Sequence, residues 1–289
     1  MLRLAVATAA ETYDRMQEPL RTRDIEAVHV ETTERTLSLD TGSDAFDADG
    51  FDVGFVYPSR LAEGGVADAL LGVPWVNGRE EILRSRHKGE ALARLSTAGV
   101  PTPETVVVSN PTDEAALTAA FERFDGPVVV KPNSTTRGTG VARAHDLDSF
   151  LGICDYLDLV HDYRATGDQS FLVQEYLPDA RDFRVMVVDG EAVGAVERRL
   201  PDEALAAGGW KHNVHRGAEA TGVALEDDHR SLAEAAADAM GISWLGIDLL
   251  VTDDRAVVNE TNARPTIDSA TKYESGFWDD VAALVRAQT

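Results

Sequence analysis

The sequence predicts a mixed α/β and α+β protein, with a parallel α/β part at the amino end. Over roughly the first 85 residues short apolar runs alternate with helical stretches, the rhythm of parallel βαβ units. Beyond residue 180 the apolar strands come in pairs joined by tight turns, which favours antiparallel sheet. A chain of 289 residues that is 44% apolar is too long for one small module and sufficient for several layers around a core.

In order along the chain, residues 4–8 read as the first strand and the stretch through 16 as a helix, with strands at 27–30 and 51–57. Residues 31–50 carry many acids and few large apolar groups, so a meander or surface loop is expected. Residues 73–77 form a further short strand. Neither Gly-x-Gly-x-x-Gly nor Gly-x-x-x-x-Gly-Lys-[Ser/Thr] occurs here, so no dinucleotide fingerprint or P-loop is expected. One helix is expected over 79–98, stopped by Gly99 with Pro101 and Pro103 beyond. Then come a strand at 105–109, a helix at 112–124 capped by Thr112 or Asp113, and a strand at 127–132. A polar, glycine-containing loop at 133–140 leads to a helix at 147–160 and a strand at 171–177. Residues 183–188 and 192–197 pair across Asp189-Gly190, a dipeptide suited to a tight hairpin turn. A helix at 229–240 ends at Gly241, a second hairpin joins 244–251 to 256–261, and 275–286 is the closing helix.

Composition narrows the function. Fifty acidic residues against 27 basic ones leave a net charge of -23, which repels phosphates and excludes nonspecific binding to nucleic acid or anionic membrane. Lysine occurs only at 88, 131, 211 and 272, so the remaining 23 cations are arginine. That balance resembles proteins of salt-loving cytoplasms, with an ordinary soluble acidic bacterial protein as the plainer alternative. The single cysteine, Cys154, gives neither a disulfide nor a zinc spacing and is expected as a small buried hydrophobe. No apolar run is long enough to span a membrane, and the apolar start is too short for a signal peptide, so a cytoplasmic protein is expected.

Three stretches carry chemistry. The last hairpin turns at Thr252-Asp-Asp-Arg255. Symmetry about residue 254 puts Asp248 opposite Glu260, with Asn262 diagonal to them and Leu250 and Val258 on the same face. Opposed carboxylates need neutralising, and two carboxylates with an amide oxygen suit a hard divalent cation, magnesium above all. A solvated acidic hairpin is the plainer alternative. Second, the strand Val128-Val-Val-Lys131 feeds a loop with Ser134, Gly138 and Gly140, where hydroxyls and backbone N–H groups can hold phosphate beside the lysine. Third, Gln174-Glu-Tyr-Leu177 and Asp182-Phe-Arg184 join a strand to a hairpin by a short polar link.

Together these stretches resemble the ATP-grasp superfamily of carboxylate–amine ligases, in particular its RimK-type branch of ribosomal-protein glutamate ligases, over residues 80–289. The resemblance implies an ATP-grasp fold with an N-terminal parallel α/β domain at 1–85, a central lid domain at 86–178 and a C-terminal domain at 179–289. It places Lys88 and Lys131 on the phosphates, Glu175 and Leu177 at the adenine edge, and Asp182 or Asp179 at the ribose. Arg184 would face the transferred phosphate or the acceptor carboxylate. Asn213 and Arg216, in Trp210-Lys-His-Asn-Val-His-Arg-Gly217, would line the nucleotide and substrate, with His212 and His215 left as structural residues or as supports behind the site-lining side chains. Asp248, Glu260 and Asn262 fall on the metal positions. ATP and magnesium, with manganese as a substitute, are the implied cofactors. An amino acid and a carboxylate acceptor are the implied partners, and a homo-oligomer follows family habit. Thr135, Arg137 and Thr266 depart from the usual glycine pattern, which bears on the substrate. The acceptor is left open among a ribosomal-protein tail, a deazaflavin or pterin coenzyme, a carrier protein and a peptide. A small-molecule kinase and a non-catalytic ATP-binding module are the alternatives. Arg198, Arg199, Arg264 and Lys272 are left open as substrate contacts.

Overall fold

The computed structural model describes residues 1–40, 42–135, 138–161, 168–212, 214 and 217–289. Asn213 and Arg216, expected at the site, and also Arg137 and His215, lie outside the described residues.

The amino-terminal part runs β1 (Leu2–Val6), α1 (Ala10–Arg21), β2 (Ile25–His29), β3 (Val53–Phe55), α2 (Leu61–Leu71) and β4 (Trp75–Val76). Its four strands form an all-parallel sheet in the order β2-β1-β3-β4. The sequence reading missed α2, because Gly64 and Gly65 interrupt it and glycine weakens a helix interior. Packing explains the first of them: a Cβ at Gly64 would stand 2.5 Å from the Tyr57 ring.

The expected single helix over 79–98 is instead two, α3 (Arg79–Arg86) and α4 (Lys88–Thr97). His87 breaks it with extended ψ of 96°. The break frees the first N–H groups of α4, which a continuous helix would have consumed. Lys88 N donates to the Asn133 carbonyl at 3.0 Å and Gly89 N to Asn133 Oδ1 at 2.8 Å, pinning the helix start to the phosphate-loop candidate.

Next come β5 (Thr105–Ser109), α5 (Glu114–Phe121), β6 (Val128–Pro132), β7 (Ala142–Ala144), α6 (Leu147–His161) and β8 (Ser170–Glu175). Asp113 caps α5 by accepting from Ala116 N at 2.8 Å. The strands form an antiparallel sheet, β5-β8-β6-β7, packed on the two helices through Val130, Phe150, Cys154, Phe171 and Val173. Cys154 is buried as expected, and burial pushes its thiol up to about 12. Native protein at pH 8 is therefore expected to react with a thiol reagent only as slowly as it opens, and at once in denaturant; fast native labelling would contradict this burial.

The carboxyl-terminal part contains β9 (Arg181–Val188), β10 (Glu191–Arg199), α7 (Asp202–Ala206), β11 (Glu219–Val223), α8 (Asp227–Met240), β12 (Trp244–Val251), β13 (Ala256–Asn262), β14 (Lys272–Tyr273) and α9 (Phe277–Arg286). Its antiparallel sheet has the order β11-β10-β9-β12-β13, with β14 added on β10. Gly241 closes α8 in the left-handed conformation at φ 60°, donating to Ala237 and Asp238. This sheet and the parallel sheet share one core with α4, where Phe55 meets Trp244 edge-on at 5.2 Å.

The last hairpin departs from the simple symmetry. Val251 pairs with Ala256, Leu250 with Val257 and Leu249 with Val258, so the turn is the two residues 253–254. The register then shifts, and Asp248 pairs with Glu260. Asn259 is the extra residue, a β-bulge. The expected Asp248–Glu260 pairing is present, but Val258 lies opposite Leu249 on the core face rather than beside Leu250. Among the described residues no helix is long and apolar enough to cross a membrane.

Candidate active site

Strand alternation decides which side chains meet. Phe183, Val185 and Val187 of β9 are buried in the core, so Asp182 and Arg184 point to the other face. Register sets Arg184 opposite Asp248 of β12, and Asp248 opposite Glu260 of β13, a charged row across three strands. Two residues along β9, Asp182 is opposite Arg198 of β10.

Arg184 grips Asp248 through a bidentate pair, Nε and Nη2 each 2.7 Å from a carboxylate oxygen. Arg198 reaches the same carboxylate at 3.0 Å and donates to Asp182 at 2.9 Å. Burial would raise Asp248, but the Arg184 and Arg198 guanidiniums outweigh it and hold it below the ordinary carboxylate range. Asp182 has the weaker share: burial pushes it up to about 6, against the pull of Arg198 and with Asp248 adding to the rise.

Two lysines border this row. Lys88, the first residue of α4, lies 3.0 Å from Glu260 Oε1 and donates to the Thr135 carbonyl at 2.6 Å. Lys131 comes in from β6 and donates to Gln174 Oε1 at 2.5 Å and Asn259 Oδ1 at 2.8 Å. Burial pulls Lys131 down to about 8, opposed by Glu260 and reinforced by Lys88. A buried ammonium held by two neutral oxygens, with another lysine near, is poised to favour an added anion. Next to it, Ser134 bonds Asp168 in the loop, and Gly140, at φ 75°, would place a Cβ 2.7 Å from Pro132. Gly138 also takes positive φ, 65°.

The residues fit a hard divalent cation by donor chemistry. Asp248, Glu260 and Asn262 supply oxygen only, and Glu260 keeps one carboxylate oxygen without a hydrogen bond among the described residues. The need for neutralisation is met within the chain: Arg184 and Arg198 serve Asp248, Lys88 serves Glu260, and Asn262 Oδ1 accepts from Arg264 N at 2.9 Å. Among the described residues no cluster of three His, Cys, Asp or Glu side chains forms a metal cage.

At the expected adenine edge, Glu175 spends its carboxylate on Glu104 N at 2.7 Å and on Arg255 at 2.6 Å. The Leu177 N–H meets no acceptor among the described residues. Arg143 stacks over Tyr176 at 4.7 Å and over Trp210 at 5.3 Å, so Trp210 lies beside the stretch 174–177. Asp182, expected at the ribose, is paired with Arg198; Asp179, named with it, is exposed at φ 54°. His212 accepts from Leu200 N at 3.3 Å, and burial, with Arg198 near, lowers its pKa.

Of the four residues left open, Arg198 belongs to the charged row, Arg199 is an exposed partner of Asp202, and Lys272 is exposed. Arg264 reaches the parallel sheet, donating to the carbonyls of Ala7 at 2.7 Å and Tyr57. Burial, with Arg86 beside it, pulls Arg264 down to about 10. The sequence reading missed Asn133, Gln174 and Asn259. Asn133 was legible only as one polar residue in a polar loop, and Gln174 as part of a strand.

Residues 85–280 match the RimK-like ATP-grasp domain. The chain is 32% identical over 201 residues to a probable alpha-L-glutamate ligase of Klebsiella pneumoniae, covering 69% of this chain and 62% of that one. It is 30% identical over 226 residues to a protein of the same description from Methanococcoides burtonii, covering 75% and 67%. The chain thus spans about two thirds or less of the length of these relatives. Among solved structures, D-cycloserine synthetase DcsG aligns over 100% of both chains with a TM-score of 0.73 and 18% identity. A RimK domain ATP-grasp protein of Sphaerobacter thermophilus aligns with a TM-score of 0.69 and 24% identity over 100% and 99%. The ATP-grasp ligase PsnB, complexed with minimal precursor, Mg and ADP, has a TM-score of 0.67 and 18% identity over 98% of each chain. These likenesses fix the fold.

Proposed function

The chain belongs to the RimK-like ATP-grasp family, and on that footing we propose that it is an ATP-dependent carboxylate–amine ligase. It would join an amino acid, L-glutamate first among candidates, to a carboxylate acceptor. Nucleotide would lie between residues 86–178 and residues 179–289. The observation that carries this reading is the cluster in which Lys88, Lys131 and Arg184 meet the opposed carboxylates Asp248 and Glu260.

In the proposed reaction the acceptor carboxylate attacks the γ-phosphorus, the bond to the β-γ bridging oxygen breaks, and ADP leaves. The amine then attacks the acyl phosphate carbonyl, loses a proton and expels phosphate, leaving an amide. Little covalent chemistry falls to the protein, which supplies position and charge. Lys88 and Lys131 would hold the phosphates, with Asn133 fixing the start of α4 against the loop. Arg184 would stabilise charge on the transferred phosphoryl group. Asn213 and Arg216 would complete the substrate side. Magnesium, held by Asp248, Glu260 and Asn262, would neutralise charge on the phosphate oxygens. The names of the relatives favour amide formation over a phosphate ester.

The test is incubation with ATP, magnesium, L-glutamate and a panel of carboxylate acceptors. ADP and phosphate released one-for-one with an amide product are expected. A phosphate ester would make the protein a kinase, and tight ATP binding without hydrolysis across the panel would make it a binding module.

A further inference from the structure

Two arginines beside the phosphate lysines have no role in the reaction as described. Arg86 ends α3, two residues before Lys88, and Arg264 follows Asn262 by two. Both are half-buried, and both reach the same segment at the carboxyl end of β3. Arg264 donates to the Tyr57 and Val56 carbonyls, the latter at 3.4 Å, and to Ala7 beyond β1 at 2.7 Å. Arg86 donates to the Ser59 carbonyl at 2.7 Å.

In a chain with 50 acidic residues, neither guanidinium has a carboxylate within ion-pair distance among the described residues. On the neighbouring sheet Arg184 has one and Arg198 two. Arg86 instead adds its positive charge to the surroundings of Arg264. Two half-buried like charges brought together without a counterion are unfavourable, and an anion bound between them removes the penalty. The place is also one where open parallel sheets receive ligands, just beyond the carboxyl ends of their strands.

We propose that Arg86 and Arg264 hold a free carboxylate of the incoming amino acid. The assignment rests on the ligase reading above and names the substrate group its site would recognise. On that reading Lys88 and Lys131 already serve the nucleotide phosphates. The arginine pair lies on the side of the parallel sheet, beside Lys88 and Asn262 in the chain, where on the ligase reading an incoming amine would meet the acyl phosphate. Planar guanidiniums match a carboxylate's two oxygens better than ammonium groups do, which suits arginine to this position.

The experiment is calorimetric binding of L-glutamate to the full chain with ADP and magnesium present, so that no turnover is required. Arg86→Gln and Arg264→Gln should each weaken L-glutamate by about tenfold or more, while ADP affinity changes less than about threefold. Their combined effect should fall short of the product of the two, because they share one carboxylate. Arg264→Lys, which keeps a donor to the carbonyls of the parallel sheet, stands in if Arg264→Gln fails to fold. L-Glutamine or the α-amide of L-glutamate should bind the wild type more weakly, according to which carboxylate is held. Equal L-glutamate affinity in wild type and both folded variants overturns the pair alone, as does a loss confined to ADP. Equal binding of L-glutamate and both amides to the wild type also overturns it. A wild type that binds ADP but no L-glutamate overturns the glutamate reading of the function and the pair with it.

Discussion

Asp248→Asn is expected to bring turnover below about a hundredth of the wild-type rate and to destabilise the fold in the same step. Asp248 is 6% exposed, and three bonds from Arg184 and Arg198 end on its oxygens. An amide there leaves Arg184 without an ionic partner and Arg198, 7% exposed, with Asp182 alone. Removing one partner of a buried ion pair costs about 3–5 kcal/mol, far more than the pair's net worth, because the remaining charge stays desolvated. Glu260→Gln is the contrast. Its side chain is 35% exposed and answers one cation, Lys88, which keeps the Thr135 carbonyl. Lys88 is only 9% exposed, but it keeps that carbonyl and a glutamine amide oxygen can still accept from it, so a smaller loss of about 1–3 kcal/mol is expected. Turnover and magnesium affinity should nevertheless fall as far as in Asp248→Asn. Urea unfolding read beside ADP release separates the two. An Asp248→Asn protein as stable as wild type would show that the arginines do not depend on it, and an unchanged rate in Glu260→Gln would remove that residue from the metal set.

Features set by local chemistry were legible in the sequence. Asp189-Gly190 closes its hairpin with φ of 49° and 88°, as a two-residue turn requires. Asp113 caps its helix, and Gly241 ends another. Symmetry about residue 254 pairs Asp248 with Glu260 for an incomplete reason: the true turn is one residue tighter, and the bulge at Asn259 restores that pairing. A second bulge hid Arg198. Counting from the turn alone, Arg198 pairs with Arg181 and falls on the core face. The register shift between Ala192 and Gly194 moves it opposite Asp182 and onto the charged face. Gly194, a glycine inside a strand, is a local sign of the second bulge, whereas no glycine or proline marks the first. The partners of Lys131 were equally out of reach, since Gln174 and Asn259 lie 43 and 128 residues away and belong to different sheets. The break at His87 is matched by Asn133, which accepts from the N–H groups of Lys88 and Gly89 and lies 44 residues beyond Gly89 in the chain.

Lys131→Met is expected to leave the empty protein folded while nucleotide affinity falls by about a hundredfold or more. Burial holds the Lys131 ammonium at about 8, below its ordinary 10.5. A cation with a depressed folded value binds fewer protons in the native state than in the unfolded chain between those two pH values. Wild-type stability should therefore rise as pH climbs from about 8 toward 10.5, and the burial penalty is present in full below that window. Methionine is uncharged and similar in shape, so the variant should lack this rise. At neutral pH its gain from losing a buried charge is offset by the donor withdrawn from Gln174 and Asn259. A nucleotide phosphate beside Nζ favours the charged form, so binding at pH 8 should draw about half a proton from solvent. Calorimetry in two buffers of different ionisation enthalpy reads that uptake directly. The wild type should take up the proton and Lys131→Met should not. Equal uptake by both, or retained affinity in the variant, would separate Lys131 from the phosphates.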